Sequence, residues 1–218
     1  MTALPREALS ERLREGIRAV PAVPAAVVEP LLDYLTLLHR WNAAYNLSAI
    51  REPRAMVTRH LLDSLVVLPH VRGGSLLDVG SGAGLPGLPL ALCRPELAVT
   101  VLDGNGKKTR FLRQAVAELR LSNVTVVHSR IQDYRPVARF DCIVSRAYSR
   151  FDAYAAQAAP LLAPGGCLLA MKGRFNPREE APGLVDSLEV LALSVPGLDE
   201  ERSLVRLEAA ALRHGNTS

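Results

Sequence analysis

The chain has 218 residues, of which 49% are hydrophobic and 22% charged, with a formal net charge of +4. That length sets a prior of one globular domain with a small appendage, and the composition excludes a disordered or fibrous chain. The longest apolar runs, such as residues 161–169, are broken by Pro164-Gly165-Gly166 and fall well short of the ~20 residues a membrane span requires.

Up to about Val71 the pattern is helical. Arg6 to Val20 is charged and amphipathic and is followed by Pro21 and Pro24; a second helix covers about Ala25 to Tyr45, with Leu31, Leu35, Leu38 and Asn42 at heptad-like spacing; a third covers about Pro53 to Leu68. From Gly74 strands and helices alternate. Strands are predicted at Ser75–Val79, Ala98–Asp103, Val124–Val127, Phe140–Ser145 and Cys167–Lys172, and helices at Pro86–Cys93, Gly106–Leu119 and Phe151–Leu161. Repeated β-α units imply an α/β fold with a mostly parallel, doubly wound sheet covered by helices on both faces. Strand-like runs near Ser187–Leu193 and Arg202–Leu207 suit an antiparallel pair at the sheet edge. The expected division is a helical region over residues 1–72 packed on a core over residues 73–218. Cys93, Cys142 and Cys167 are odd in number, far apart in sequence and set among apolar neighbours, which suits buried reduced thiols and not a disulfide frame or a metal site. With no signal-peptide pattern at the start, the chain reads as cytoplasmic.

The run Leu76-Leu77-Asp78-Val79-Gly80-Ser81-Gly82-Ala83-Gly84-Leu85-Pro86-Gly87 ends an apolar strand in an acid and then alternates glycines. Gly80, Gly82 and Gly84 lack the Cβ atoms that hold a ligand away and permit positive φ, so the turn suits an adenosine-bearing ligand. Residues 82–87 satisfy the G-x-G-x-x-G spacing of dinucleotide folds, but Asp78 ahead of them would repel a pyrophosphate. S-adenosylmethionine has no phosphate and carries a sulfonium and an ammonium that a nearby carboxylate can meet, so the acid favours it. A tight turn without a ligand is the bland alternative.

Doubly wound folds bind ligands at the carboxyl ends of their strands, which places further residues on the same rim as the loop. Asp103 closes the second strand 19 residues after Gly84, near the spacing of an acid that accepts two ribose hydroxyls; its place before Gly104 also fits a helix N-cap. Ile131 and Gln132 follow the third strand, where an apolar side chain can cover adenine and an amide can meet its edge. Arg146 follows the fourth, aimed at a cofactor carboxylate or at the substrate. No metal-ligand cluster and no general acid or base is assigned. His60 and Ser64 share a helix face, where such groups more often cap or pack than react.

The charge is uneven. Between Gly104 and Arg150 there are ten Lys plus Arg against three Asp plus Glu, a net +7, while the rest of the chain sums to −3. Such a block beside a cofactor site points to a polyanionic substrate, with Lys107 and Arg110 as contacts; the alternative is that they form the wet side of one helix.

Together, Trp41-Asn42-x-x-Tyr45-Asn46-Leu47, Arg59-His60-x-x-Asp63-Ser64, the glycine loop, Leu102-Asp103, Lys107-Lys108-x-Arg110-Phe111-Leu112, Ser145-Arg146-Ala147 and Lys172-Gly173 resemble the small-subunit ribosomal RNA guanine-N7 methyltransferases, the glucose-inhibited division protein B family. The resemblance spans about residues 30–208. It implies a class I methyltransferase sheet behind an N-terminal helical region, S-adenosylmethionine as donor, and a guanine N7 of 16S rRNA as acceptor. It puts cofactor contacts at Gly80, Leu85, Ile131, Gln132 and Arg146, with Gln132 where the family often has an acid. It also raises Arg59, His60 and Lys172 as RNA contacts. Tyr148, just beyond Arg146, is placed as a stacking partner for an exposed base. The expected partner is 16S rRNA or the small ribosomal subunit, met by a monomer and without a membrane. Against this stand a methyltransferase acting on another RNA, a protein or a small molecule, which the basic block disfavours for the last two, and an NAD(P)-binding oxidoreductase, which Asp78 disfavours.

Overall fold

The protein is described by a computed structural model over residues 4–146, 148 and 150–214, so Ala147 of the Ser145-Arg146-Ala147 motif lies outside the described residues. Helix α1 (Arg6–Arg18) buries Leu9, Leu13 and Ile17. Helix α2 (Val28–Tyr45) buries the whole expected stripe of Leu31, Leu35, Leu38 and Asn42, and stops where Asn46 turns left-handed at φ 50°, a conformation asparagine tolerates. The third expected helix is interrupted. It starts as α3 (Pro53–Met56), where the Glu52 carboxylate accepts from the Arg54 and Ala55 N–H groups; it widens into a π-helical turn (Val57–Leu62) and closes as α4 (Asp63–Leu65). Such wide turns recur at functional sites.

Five strands then build the parallel part of the sheet: β1 (Ser75–Val79), β2 (Ala98–Asp103), β3 (Val124–His128), β4 (Phe140–Ser145) and β5 (Leu162–Lys172). Between them lie α5 (Gly87–Cys93), α6 (Gly106–Glu118) and α7 (Phe151–Ala158). After the short α8 (Pro177–Glu180), β6 (Leu188–Ala192) and β7 (Ser203–Glu208) add the expected antiparallel edge, and α9 (Ala209–His214) follows. The order is β3-β2-β1-β4-β5-β7-β6. The chain leaves β1 toward β2 and β3 and then returns to the other side for β4, so the winding reverses between β1 and β4. The crevice at that reversal is where doubly wound sheets take ligands.

Side-chain alternation divides the core in two. Leu76, Val101, Cys142 and Val144 face one side, with α5, α6 and the N-terminal helices over them. Leu77, Leu102, Ile143 and Leu168 face the other, under α7. One continuous cluster therefore runs from Leu9 through Leu35 and Phe111 to Leu204, joining the helical region to the sheet. Each fully buried leucine in it contributes about 1.5–3 kcal/mol from burial alone. Helix α6 begins where the Asn105 side chain accepts from the N–H groups of Lys107 and Lys108, at 2.9 and 3.3 Å.

One local expectation needs correction. Strand β5 starts at Leu162 and not Cys167: Leu162 pairs with Phe140, and an irregularity absorbs Pro164-Gly165-Gly166 before regular pairing resumes at Cys142 and Cys167. Those two cysteines, distant in sequence, are thus register neighbours with sulfurs 3.9 Å apart; all three cysteines are free and buried. Among the described residues no helix is long and apolar enough to cross a membrane.

Candidate active site

The glycine loop is held from three directions. Beneath it, Asp78 Oδ2 accepts from the Ser81 hydroxyl at 2.7 Å and the Gly87 N–H at 2.9 Å. From the next strand, Asp103 Oδ2 accepts from the Gly82 N–H at 2.9 Å, and its other oxygen accepts from Asn105 N–H. From α2, the buried Tyr34 hydroxyl donates to the Ala83 carbonyl at 2.8 Å. Gly80, Gly82 and Gly84 all take positive φ, but for different reasons. A Cβ on Gly82 would make only ordinary contacts, 3.8 Å from Gly80 O and 4.0 Å from Lys108 Nζ, whereas one on Gly84 would lie 2.5 Å from Leu88 Cδ1 and 3.0 Å from Leu112 Cδ2. Gly82 keeps room for a ligand; Gly84 lets α5 and α6 pack.

Asp78 is not presented to a ligand as its place in the sequence suggests. It shares strand parity with Leu76 and points under α5, wholly buried, where a Cβ on Gly87 would meet it at 2.8 Å. Burial pushes its pKa up to about 6, against the lowering effect of the Ser81 and Gly87 hydrogen bonds. Among the described residues its Oδ1 has no hydrogen-bond partner. Asp78 thus scaffolds the loop.

Two hollows meet at Gly80. One, of about 270 Å³, is bounded by Gly80, Gly82, Leu85 and Arg146 from the core and by Ser48 and His60 from the helical region. The other, of about 210 Å³, is bounded by Gly80, Asp103, Ile131, Gln132 and Tyr148. The expected rim residues Gly80, Gly82, Leu85, Asp103, Ile131, Gln132 and Arg146 therefore do converge on one crevice, while Asp78 and Gly84 support it from below. A split crevice with a carboxylate, Asp103, at one end and a guanidinium, Arg146, at the other is compatible in charge with S-adenosylmethionine.

The wall from the helical region is legible only in part from the sequence. The Ser48 hydroxyl and His60 Nε2 lie 2.8 Å apart, and Ser48 is held by Ile50 N–H and by Asn42 Oδ1. Burial, aided by Arg146, depresses the His60 pKa to about 4, so the imidazole is neutral near pH 7. Asp63 bridges two arginines, accepting from Arg146 Nη1 at 3.2 Å and from Arg202 Nε at 3.1 Å. Ser48 directly follows the quoted Asn46-Leu47, but nothing local marks Tyr34 or Arg202, whose partners are 49 and 139 residues away.

The expected substrate residues do not form one patch. Arg59 pairs with Glu200 and, with Arg146, Lys172 and Arg202, lines a third hollow of about 240 Å³. Lys172 Nζ donates to the Tyr148 carbonyl at 2.7 Å and pairs with Glu180. Tyr148 packs on Tyr154 with ring centroids 5.1 Å apart and donates to Gln157, at the second hollow's edge and so beside the expected adenine position. Lys107 and Arg110 are exposed on α6.

Strand order, winding reversal and glycine loop define a class I methyltransferase fold. Solved structures agree: an apo S-adenosylmethionine-dependent methyltransferase, SibL, superposes with a TM-score of 0.55 at 20% identity over 94% of this chain and 74% of that one. A Thermus thermophilus 16S rRNA N2 G1207 methyltransferase superposes at 0.52 and 23% identity, covering 74% of this chain and 44% of that one. The sequence pattern described as rRNA small subunit methyltransferase G matches residues 27–205, and the chain belongs to that family. Relatives named ribosomal RNA small subunit methyltransferase G include one from Methylobacillus flagellatus, 49% identical over 92% of this chain and 98% of its own length. Another, from Alkalilimnicola ehrlichii, is 53% identical over 87% of each.

Proposed function

We propose that the protein transfers a methyl group from S-adenosylmethionine to N7 of a guanine in 16S rRNA. The observation that carries this reading is the crevice meeting at Gly80, with Asp103 at one end and Arg146 at the other, in a chain of the rRNA small subunit methyltransferase G family. When bound, S-adenosylmethionine supplies a methyl group on a cationic sulfur, which the unprotonated N7 lone pair of guanine takes without a general base.

The protein's work is then positioning and exclusion of water. The loop from Gly80 to Leu85 offers backbone at close range, Asp103 accepts hydroxyl hydrogens, Ile131 and Gln132 flank the adenine, and Arg146 holds the carboxylate. Positive charge develops on the purine, so a neutral wall beside it is preferable to a cation. His60, with its pKa near 4, meets that requirement at neutral pH. Arg59, Lys172, Lys107 and Arg110 attract the RNA, and a cytoplasmic location fits a ribosomal substrate. Incubation with methyl-labelled S-adenosylmethionine and small subunits from cells lacking the modification tests the reading. Label at a guanine N7 of 16S rRNA is expected; label on a protein or at another ring atom would overturn it.

A further inference from the structure

A groove of about 590 Å³ opens beyond the adenine end of the crevice, between the 131–139 loop and α7. It shares Ile131 and Gln132 with the second hollow, so the two are continuous. Its floor is apolar, with Ile131, Pro160 and Leu161, and Val137 stands fully exposed at the lip. Its charged groups are Arg135 and Arg139, and no carboxylate lines it among the described residues.

The arginines of this groove differ from those around the donor crevice. Arg59, Arg146, Arg202 and Arg206 each pair with a carboxylate. Arg135 instead donates to the carbonyls of Gln132 and Tyr134, at 2.7 and 3.0 Å. Arg139 is exposed and, among the described residues, has neither an ion pair nor a hydrogen bond from its guanidinium. An apolar trough with unmatched guanidinium groups at its edge suits unpaired nucleotides, whose bases rest on apolar or aromatic surface while phosphates meet the cations. A duplex, its bases paired and stacked, offers no free base face to such a floor.

We infer that this groove is a second RNA-binding surface, holding a single-stranded stretch of the substrate RNA beside the donor crevice through Arg139, Arg135 and the apolar lip at Val137. The inference rests on the proposed RNA substrate and adds the surface the strand follows. Arg139→Gln and Val137→Asp alter exposed side chains that hold no other part of the fold. Binding of unmodified 16S rRNA and of unmodified small subunits is measured across a salt series, with calorimetry of S-adenosylhomocysteine as control. Both variants should weaken RNA binding severalfold with cofactor affinity unchanged. Arg139→Gln should lower the slope of log K against log salt by about 0.7, because one phosphate of a single strand is no longer neutralised, and Arg139→Lys should restore it. Wild-type affinity and slope in both variants would overturn the inference. So would a loss confined to assembled subunits, which would assign the groove to a ribosomal protein. Failure of the wild-type protein to bind RNA would instead bring down the reading of function beneath it.

Discussion

Alanine at Gly82 and alanine at Gly84 should fail in opposite assays. At Gly84 the new Cβ meets Leu88 at 2.5 Å and Leu112 at 3.0 Å, on a backbone at φ 92°. Overpacking costs about 1–3 kcal/mol and a left-handed residue with a side chain about 1–2 kcal/mol more. With about 2–4 °C lost per kcal/mol in a chain of this size, the melting temperature should fall by roughly 10 °C. At Gly82, φ is 62° and nothing lies closer than 3.8 Å, so the fold should lose only about 1–2 kcal/mol. The methyl there projects into the space kept for the ligand, and an overlap of about 1–3 kcal/mol weakens cofactor binding by roughly 5- to 150-fold. Thermal melting and calorimetry with S-adenosylhomocysteine read the two effects separately. Unchanged cofactor affinity in Gly82→Ala, or a wild-type melting temperature in Gly84→Ala, would refute the division of labour within the loop.

Other outcomes follow from the supports around the loop. Tyr34→Phe keeps the ring and removes the donor to the Ala83 carbonyl; leaving that buried acceptor unmet should cost about 1–3 kcal/mol and weaken cofactor binding, and equal melting and affinity would show that the hydroxyl holds nothing. Asp78 has a folded pKa of about 6 against an ordinary 3.8, so the folded state binds its proton more tightly and this residue's contribution improves as pH falls through 6. Between pH 7 and 5 the apo protein should gain on the order of 1 kcal/mol relative to Asp78→Asn; a flat difference between their melting profiles over that range counts against it. We also propose that residues 1–72 and 73–218 form one cooperative unit. A chain beginning at residue 73 should show no sharp melt, and a cooperative transition with intact cofactor binding would separate the two.

What the sequence made legible was short in range. The strand β1, its glycine turn and the α2 stripe are local patterns of apolar spacing, and the structure keeps them nearly residue for residue. That the rim residues share one crevice was legible because strand ends in a doubly wound sheet must converge. Asp78 misled because its place before the glycines suggested a ligand, although its parity with Leu76 already turned it toward α5. Partnerships such as Tyr34 with Ala83, Arg59 with Glu200 and Asp63 with Arg202 join residues 49, 141 and 139 positions apart. Such pairs depend on tertiary packing, which one-dimensional periodicity does not carry. The π-helical turn adds only a wider hydrogen-bond step to an otherwise helical run, so composition could not reveal it.

The core shared between the helices and the sheet also governs how the chain is made. Helix α2 is made before α5 and α6, which pack on it, so Leu31, Leu35 and Leu38 stay partly uncovered until those helices are synthesised dozens of residues later. During that interval the nascent chain carries an unsheltered oily face of the kind that chaperones capture. Helix α2 therefore gains its full cover only once the donor loop and the helices beyond it have been added.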